Sequence, residues 1–284
     1  MMERQKRALA IHDISCVGKC SLTVALPILS AADIACCCLP TAVLSTHTGG
    51  FEGYTYHDLT QDVMPIAEHW KRLGFSFDAL YTGYLGSPEQ IDLMIRLFEL
   101  FNGRDVIRLV DPVMADYGIL YPGFAKDFPQ QMKRLCAHAD VIIPNVTEAT
   151  LLAGLPYRDG PFEAPYVEEL LARLAELGPE KVVLTGVSLD EKNLGTAAWD
   201  DGKVTYAFAE RMEGQYHGTG DVWGSAFLAA LLCNKSLHDA CQIACDFTTA
   251  SVRFTLQKQT DIRYGVRFEA ALPGLMRVLG LTGD

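Results

Sequence analysis

The sequence predicts an α/β fold with a mostly parallel sheet and helices on both faces. Three observations carry this. Short apolar runs alternate with helical stretches from residue 7 to residue 187. Each apolar run turns polar where it stops. No internal repeat, low-complexity segment or linker interrupts the alternation, so a single domain over 1–284 is expected.

Taken in order, "RALAIHDIS" reads as a buried strand near residues 7–12, followed by Gly18, and "SLTVALPILSAA" as a helix despite Pro27. "IACCCLPTAVLS" reads as two short β runs broken at Pro40. Residues 46–58, "THTGGFEGYTYHD", read as a mobile loop or flap. A helix over 59–73 leads to the strand "DALYTGYL", and one over 88–102 to "DVIRLVDPV". A polar loop and a helix over 123–138 lead to "DVIIPN". Helices over 147–153 and 163–177 lead to "KVVLTGV". "LGTAAWDDGKVTYAF" reads as a hairpin turning at Asp201-Gly202, and the chain from Asp221 onward as helical. In open sheets of this kind, ligands gather beyond the carboxyl ends of the strands. Those ends are "HDIS", "TGYLGS", "DPVMAD", "PNVTE" and "TGVS".

Bulk properties narrow the function. Hydrophobic residues make up 49% of the 284 and charged residues 21%, which supports a sizeable core and argues against disorder. The net charge of −11, with Lys and Arg scattered, argues against a nucleic-acid partner. The nine cysteines form no C-x-x-C pair, so a zinc site is poorly supported and reduced thiols in a cytoplasmic protein are expected. The N-terminal stretch is not expected to be a signal peptide, since His12 and Asp13 interrupt it, and no apolar run approaches bilayer length, so no membrane partner is expected.

"HGTGDVWGSAFLAALL", residues 217–232, places two glycines and a carboxylate before a long apolar run. Gly218 and Gly220 let successive N–H groups converge on one point. The start of a helix near Asp221 would add its free N–H groups and dipole. An anion held there, beside a carboxylate that accepts a proton from an attacking hydroxyl, would be a phosphoryl-transfer site. The same residues also suit a plain N-cap and turn. Neither a Walker A loop nor a dinucleotide G-x-G-x-x-G is present.

"GTGD" before an apolar helix, "TGYLGS", "DPVM" and "PNVTEA" at successive strand ends, and "STHTG" at 45–49 together resemble the ribokinase-like superfamily. Within it they resemble the pyridoxal/pyridoxine/pyridoxamine kinases, over residues 8–256. The resemblance implies a three-layer α/β/α fold and ATP-dependent phosphorylation of the hydroxymethyl group of a vitamin B6 vitamer. It also implies a homodimer. Asp221 matches the family's general base, and Gly218, Thr219 and Gly220 its anion hole. ATP and Mg2+ are the implied cofactors, with a monovalent cation as a further candidate. Asp111 and Glu148 would face the metal through water. Asp116, Asn145, Glu148, Thr185 and Gly186 would lie on the nucleotide side. Tyr84 would pack against the pyridine ring, and His47 and Thr48 would lie near its substituents. The residues alone leave other roles open: Asn145 as a helix cap completed by Glu148, Asp111 as a turn former, and Thr185 as an ordinary strand end.

The chain departs from the family pattern at "HDISCVGKCS", which places Asp13 where many B6 kinases carry a serine that bonds the ring nitrogen. Gly18 is kept and a second glycine is not. Asp13 is therefore expected to bind substrate and tune the choice of vitamer, toward the charged pyridoxamine. The nearest alternative is hydroxymethylpyrimidine (phosphate) kinase, many of whose members carry cysteine where this chain has Asp221. A non-catalytic B6 carrier is a further alternative, disfavoured because Asp221, Asp111 and Glu148 are all present.

Overall fold

The computed structural model describes residues 4–258 and 261–282. Residues 1–3 and 283–284, the ends of the expected domain and the start of the N-terminal stretch, lie outside the described residues, as do 259–260.

In chain order the elements begin with β1 (Arg7–Ser15), α1 (Leu22–Ala31), β2 (Ala35–Leu44), β3 (Tyr56–Asp58), α2 (Thr60–Arg72) and β4 (Ala79–Thr82). Next come α3 (Pro88–Leu100), β5 (Ile107–Val110), the short strands β6 (Ala115–Asp116) and β7 (Ile119–Leu120), α4 (Phe128–Cys136), β8 (Val141–Ile142), α5 (Val146–Ala153) and α6 (Ala164–Ala175). The chain ends with β9 (Lys181–Val187), β10 (Asn193–Asp200), β11 (Lys203–Glu210), α7 (Thr219–Leu232), α8 (Leu237–Lys258) and α9 (Leu272–Leu279). The sheet is mostly parallel and flanked by helices, as expected. The chain forms two compact units, Met1–Leu80 with Met212–Asp284, and Tyr81–Arg211.

In the first unit the strand order is β4-β1-β2-β3, with β4 contributing Ala79 and Leu80. β1 and β2 are parallel, and β3 returns antiparallel to β2. From β1 the chain moves outward to β2 and β3, then crosses back to β4. The carboxyl end of β1 is therefore a topological switch point, the favoured ligand position in such sheets. Residues 8–11 of β1 are fully buried, as a strand covered on both faces requires. α7 packs against α1 and α8 and is apolar nearly all round, with Val222, Ala226, Phe227 and Leu228 wholly buried. Each large side chain buried this way contributes about 1.5–3 kcal/mol. Such a central helix holds its N-terminus firmly.

In the second unit the order is β11-β10-β9-β8-β5-β4. β5, β8 and β9 are parallel, while β10 and β11 are antiparallel additions. Asp201 and Gly202 take φ of 47° and 79° at the β10–β11 turn. That is the two-residue hairpin expected there.

Four readings need correction. Pro40 does not break "IACCCLPTAVLS": β2 runs through it. The β1–β2 register slips between His12 and Ile14, opposite Pro40 and Val43, and proline is tolerated at such a bulge. "DVIIPN" yields only Val141–Ile142 as strand. The span 123–138 is helical only over α4, and the β6–β7 hairpin ahead of it turns on Tyr117 and Gly118, at φ 50° and 78°. The chain after Asp221 is not wholly helical: two single 3-10 turns, Ile262–Tyr264 and Phe268–Ala270, precede α9. No helix among the described residues is long and apolar enough to cross a membrane.

Candidate active site

α7 starts at Thr219, two residues before the expected start, so Asp221 lies in its first turn and is not the N-cap. The N-cap is Gly218, at φ 77° in the left-handed region. A β-carbon there would stand 2.2 Å from the Lys19 carbonyl oxygen, so both backbone conformation and packing require glycine. No side chain caps the helix. Val222 N–H takes the Gly218 carbonyl at 3.0 Å, and the N–H groups of Thr219, Gly220 and Asp221 precede that first helical bond. Thr219 Oγ1 donates to the Tyr216 carbonyl at 3.2 Å. Gly220 is different: a β-carbon there would meet nothing within 4 Å. Glycine inside a helix costs about 1 kcal/mol relative to alanine, and packing gives no reason for it here. The N–H groups ahead of that first bond, the helix dipole and the open space beside Gly220 are the features that suit a helix N-terminus to an anion.

Asp221 is half-buried. Burial pushes its carboxyl up to about 7, against the pull of the Ser21 backbone N–H, and the charge of Asp13 pushes the same way. A carboxyl poised near neutrality is suited to accept a proton.

Asp13 lies at the bulge of β1 and is 5% exposed. A bulge re-aims the side chain it carries. Asp13 Oδ1 accepts from Ser21 Oγ at 2.6 Å and Oδ2 from Ser15 Oγ at 3.1 Å. Burial raises its pKa, and the two hydroxyls oppose that. Ser21 has φ 53° and ψ −131°, a conformation that favours glycine. It occupies the N-cap position of α1 yet makes no side-chain cap, because its hydroxyl goes to Asp13. The Cys20 thiol between these groups is pushed up to about 12 by burial and by Asp221 and Asp13, so it stays protonated.

His47 is 6% exposed. Its Nδ1 accepts from Gly49 N–H at 3.0 Å, so Nε2 carries the proton and donates to the Arg263 carbonyl at 2.5 Å. Its ring lies 5.0 Å from Phe51 and 5.1 Å from His217. His47 thus latches the 46–58 loop to the 261–265 turn, and a β-carbon on Gly18 would stand 2.0 Å from its Cδ2. At the loop base, Ser45 N–H donates to the Thr55 carbonyl and Thr55 N–H to Ser45 Oγ. Thr48 is exposed beside this latch.

In the second unit, Asn145 and Glu148 form a reciprocal capping box on α5. Glu148 is 2% exposed. Oε2 accepts from Asn145 N–H at 2.9 Å, and Oε1 from Met114 N–H at 2.9 Å and Ala115 N–H at 3.5 Å. Burial pushes its pKa up and these donors pull it down. Asn145 Nδ2 donates to the Ala115 carbonyl at 2.9 Å, and Gly118 N–H donates to Thr147 Oγ1 at 3.0 Å. "PNVTEA" therefore anchors the loop and hairpin that follow "DPVM". Asp111 closes β5, its N–H bonded to the Thr82 carbonyl at 3.0 Å. Asp116 is exposed and accepts from Tyr117 N–H at 2.9 Å. Thr185 N–H bonds the Pro144 carbonyl at 2.9 Å. Gly186, at φ 73°, is the residue skipped in the β9–β10 register. The Tyr84 ring lies 5.6 Å from Phe124.

The sequence model of the phosphomethylpyrimidine kinase family matches residues 26–265. The chain belongs to this family. A Bacteroides thetaiotaomicron member designated a phosphomethylpyrimidine kinase, crystallised with pyridoxal, is 36% identical; the match covers 96% of each chain at a TM-score of 0.90. The pyridoxal kinase of Lactobacillus plantarum is 33% identical at a TM-score of 0.89, over 97% of this chain and 98% of that one. Pyridoxal kinase PdxY of Actinobacillus pleuropneumoniae is 31% identical over 172 residues, which is 56% of this chain; the chain spans 57% of that relative's length. The resemblance to the B6 kinases thus holds alongside the family's pyrimidine-kinase designation.

Within this phosphomethylpyrimidine kinase family chain, the structure brings Asp13, Ser21, Asp221 and the Gly218–Gly220 turn together in the first unit. Asp111, Asp116, Asn145, Glu148, Thr185, Gly186 and Tyr84 belong to the second. No group of three or more His, Cys, Asp or Glu among the described residues could cage a metal ion. Mg2+ does not need such a cage, since it keeps waters and takes one or two carboxylates plus phosphates. Asp111 and Glu148 fit that pattern through water, because the Glu148 oxygens retain lone pairs beyond their backbone bonds. Sequence reasoning missed Ser21, Ser15 and the His47–His217 pair. Ser21 carried a signal, a serine directly before a helix, but that signal points to a cap it does not make.

Proposed function

We propose that this protein is an ATP-dependent kinase that phosphorylates the hydroxymethyl group of a B6 vitamer and works as one kinase domain. Asp221 is the general base, and the Gly218-Thr219-Gly220 turn is the anion hole. The observation that carries this reading is a carboxyl lifted to about 7 in the first turn of a helix whose N–H donors no side chain caps. As the substrate oxygen attacks the phosphoryl group, its proton moves to the Asp221 carboxylate. The fixed N–H donors balance the charge that builds on the phosphoryl oxygens. Asp116, Asn145, Thr185 and Gly186 take the nucleotide. Asp111 and Glu148 hold Mg2+ through water, and the ion supplies charge neutralisation at the phosphates. Tyr84 walls the ring, while Asp13, His47 and Thr48 line its polar edge. The protein is read as a cytoplasmic homodimer.

The family's designation favours hydroxymethylpyrimidine phosphorylation as the second reading. One panel separates them: ADP formation with Mg2+ and pyridoxal, pyridoxine, pyridoxamine or the thiamin pyrimidine. The B6 reading expects turnover with at least one vitamer at a higher kcat/KM than with the pyrimidine. The reverse order would replace it. Tight vitamer binding without ADP formation would make the protein a carrier.

A further inference from the structure

We propose that Thr147 is a positioning residue for nucleotide binding: its hydroxyl oxygen takes the Gly118 N–H and so fixes the turn that holds Asp116 in place. The inference rests on the reading of Asp116 as a nucleotide-side residue. The β6–β7 hairpin pairs only Ala115 with Leu120 and Asp116 with Ile119. A hairpin that short does not hold its own shape. Its tip has little apolar anchorage, since Tyr117 is 59% exposed and Ile119 71%. Its turn is also strained. Tyr117 sits at φ 50°, a region that disfavours a bulky side chain, and such a conformation persists only when neighbours over-determine it.

Those neighbours lie on α5 and just beyond it. The base of the hairpin is held by Glu148 Oε1, which accepts from Met114 N–H at 2.9 Å, and by Asn145 Nδ2, which donates to the Ala115 carbonyl at 2.9 Å. The tip is held by Thr147 Oγ1, which accepts from Gly118 N–H at 3.0 Å. A β-carbon on Gly118 would stand 2.8 Å from Tyr157 Cδ1, so the Tyr157 ring backs the same turn. Asp116 lies between these two attachments and takes the Tyr117 N–H at 2.9 Å. Asn145 and Glu148 are accounted for by the helix itself, because they cap it reciprocally. The cap is complete without Thr147. Its hydroxyl, on a residue 3% exposed, is directed to the hairpin. A carboxylate that must meet bound phosphates and their counter-ion gains from being placed beforehand.

The test compares Thr147→Val, which keeps the branched shape and loses the oxygen, with Thr147→Ser, which keeps the oxygen. Hydrogen exchange of the segment 114–121 is measured in the full unliganded chain. It should quicken about 2–10-fold in Thr147→Val, the worth of one hydrogen bond, and stay near the original in Thr147→Ser. Exchange in α5 and β8 should not change, which separates a loosened turn from a loosened unit. ADP affinity with Mg2+, read by calorimetry, should weaken about 2–10-fold in Thr147→Val and recover in Thr147→Ser. The KM for ATP should rise with it while the KM for the alcohol substrate stays put. Unchanged exchange, or an equal loss in both variants, overturns the proposal. So does ADP bound as tightly by Thr147→Val as by the original; if Asp116→Ala then shifts ADP affinity, the nucleotide reading still stands. ADP affinity unmoved by Asp116→Ala overturns both together.

Discussion

The Lys19 carbonyl oxygen stands where a β-carbon on Gly218 would need to be, at 2.2 Å, while two residues on the space beside Gly220 is open. The two glycines of one motif thus have different reasons to exist, and they separate by mutation. Gly218→Ala is expected to destabilise the protein by about 1–3 kcal/mol through its left-handed φ alone, with the clash adding to that. Gly220→Ala is expected to leave stability unchanged or raise it by up to about 1 kcal/mol, yet to raise the KM for ATP and lower kcat. Urea unfolding and steady-state kinetics on both variants check this; an active Gly220→Ala enzyme would remove the anion hole from that position.

Asp221→Ala is expected to lower kcat by about 10²–10⁴-fold, the usual worth of a positioned base, while ATP binding by calorimetry is kept. In the unaltered protein, activity should fall tenfold per pH unit below about 7, because only the ionised carboxylate accepts the proton. A variant near the original rate would show that another group takes the proton.

The same carboxyl makes stability depend on pH. Its pKa is about 7 folded against an ordinary 3.8. Between these values the folded state holds a proton that the unfolded chain has lost, so stability falls as pH rises through the window. Asp221→Asn should therefore be more stable than the original by about 1–3 kcal/mol at pH 8, after allowing for partial solvent screening. The two should converge at pH 4. Thermal unfolding at both values decides it.

Asn145→Ala removes the acceptor for Glu148 N–H and the donor to the Ala115 carbonyl. A loss of about 1–2 kcal/mol is expected from the cap. Loosening of the loop after Asp111 should also raise the Mg2+ concentration needed for half-maximal rate. A Mg2+ titration showing no change would confine Asn145 to stability.

Asp13→Ser is expected to change the ranking of kcat/KM among the three vitamers, with pyridoxamine losing most. An unchanged ranking would limit Asp13 to its role beside Ser21.

Much of the sheet was legible because buried parallel strands read as apolar runs, and "KVVLTGV" or "RALAIHDIS" cannot easily be anything else. Pro40 misled because its cost depends on register, and the slip opposite His12 is set by the pairing of two strands rather than by either alone. The β6–β7 hairpin was hidden because its strands are two residues long and its turn uses Tyr117 at positive φ. At the candidate site, glycines and carboxylates announced themselves by type and spacing. Ser21 did not, since a serine before a helix advertises a cap, and only the fold reveals that its hydroxyl is spent on β1. The same holds for His47, whose ring is taken up by a turn more than two hundred residues away in the chain.

The contorted peptide at Ser21 is set once, when the chain folds, and held thereafter by strand and helix. The Asp13 carboxylate is thereby held between the Ser15 and Ser21 hydroxyls as part of the fold itself. On the proposed reading, a preference among ring-bearing alcohols would then be altered by replacing the residue at position 13, not by moving it.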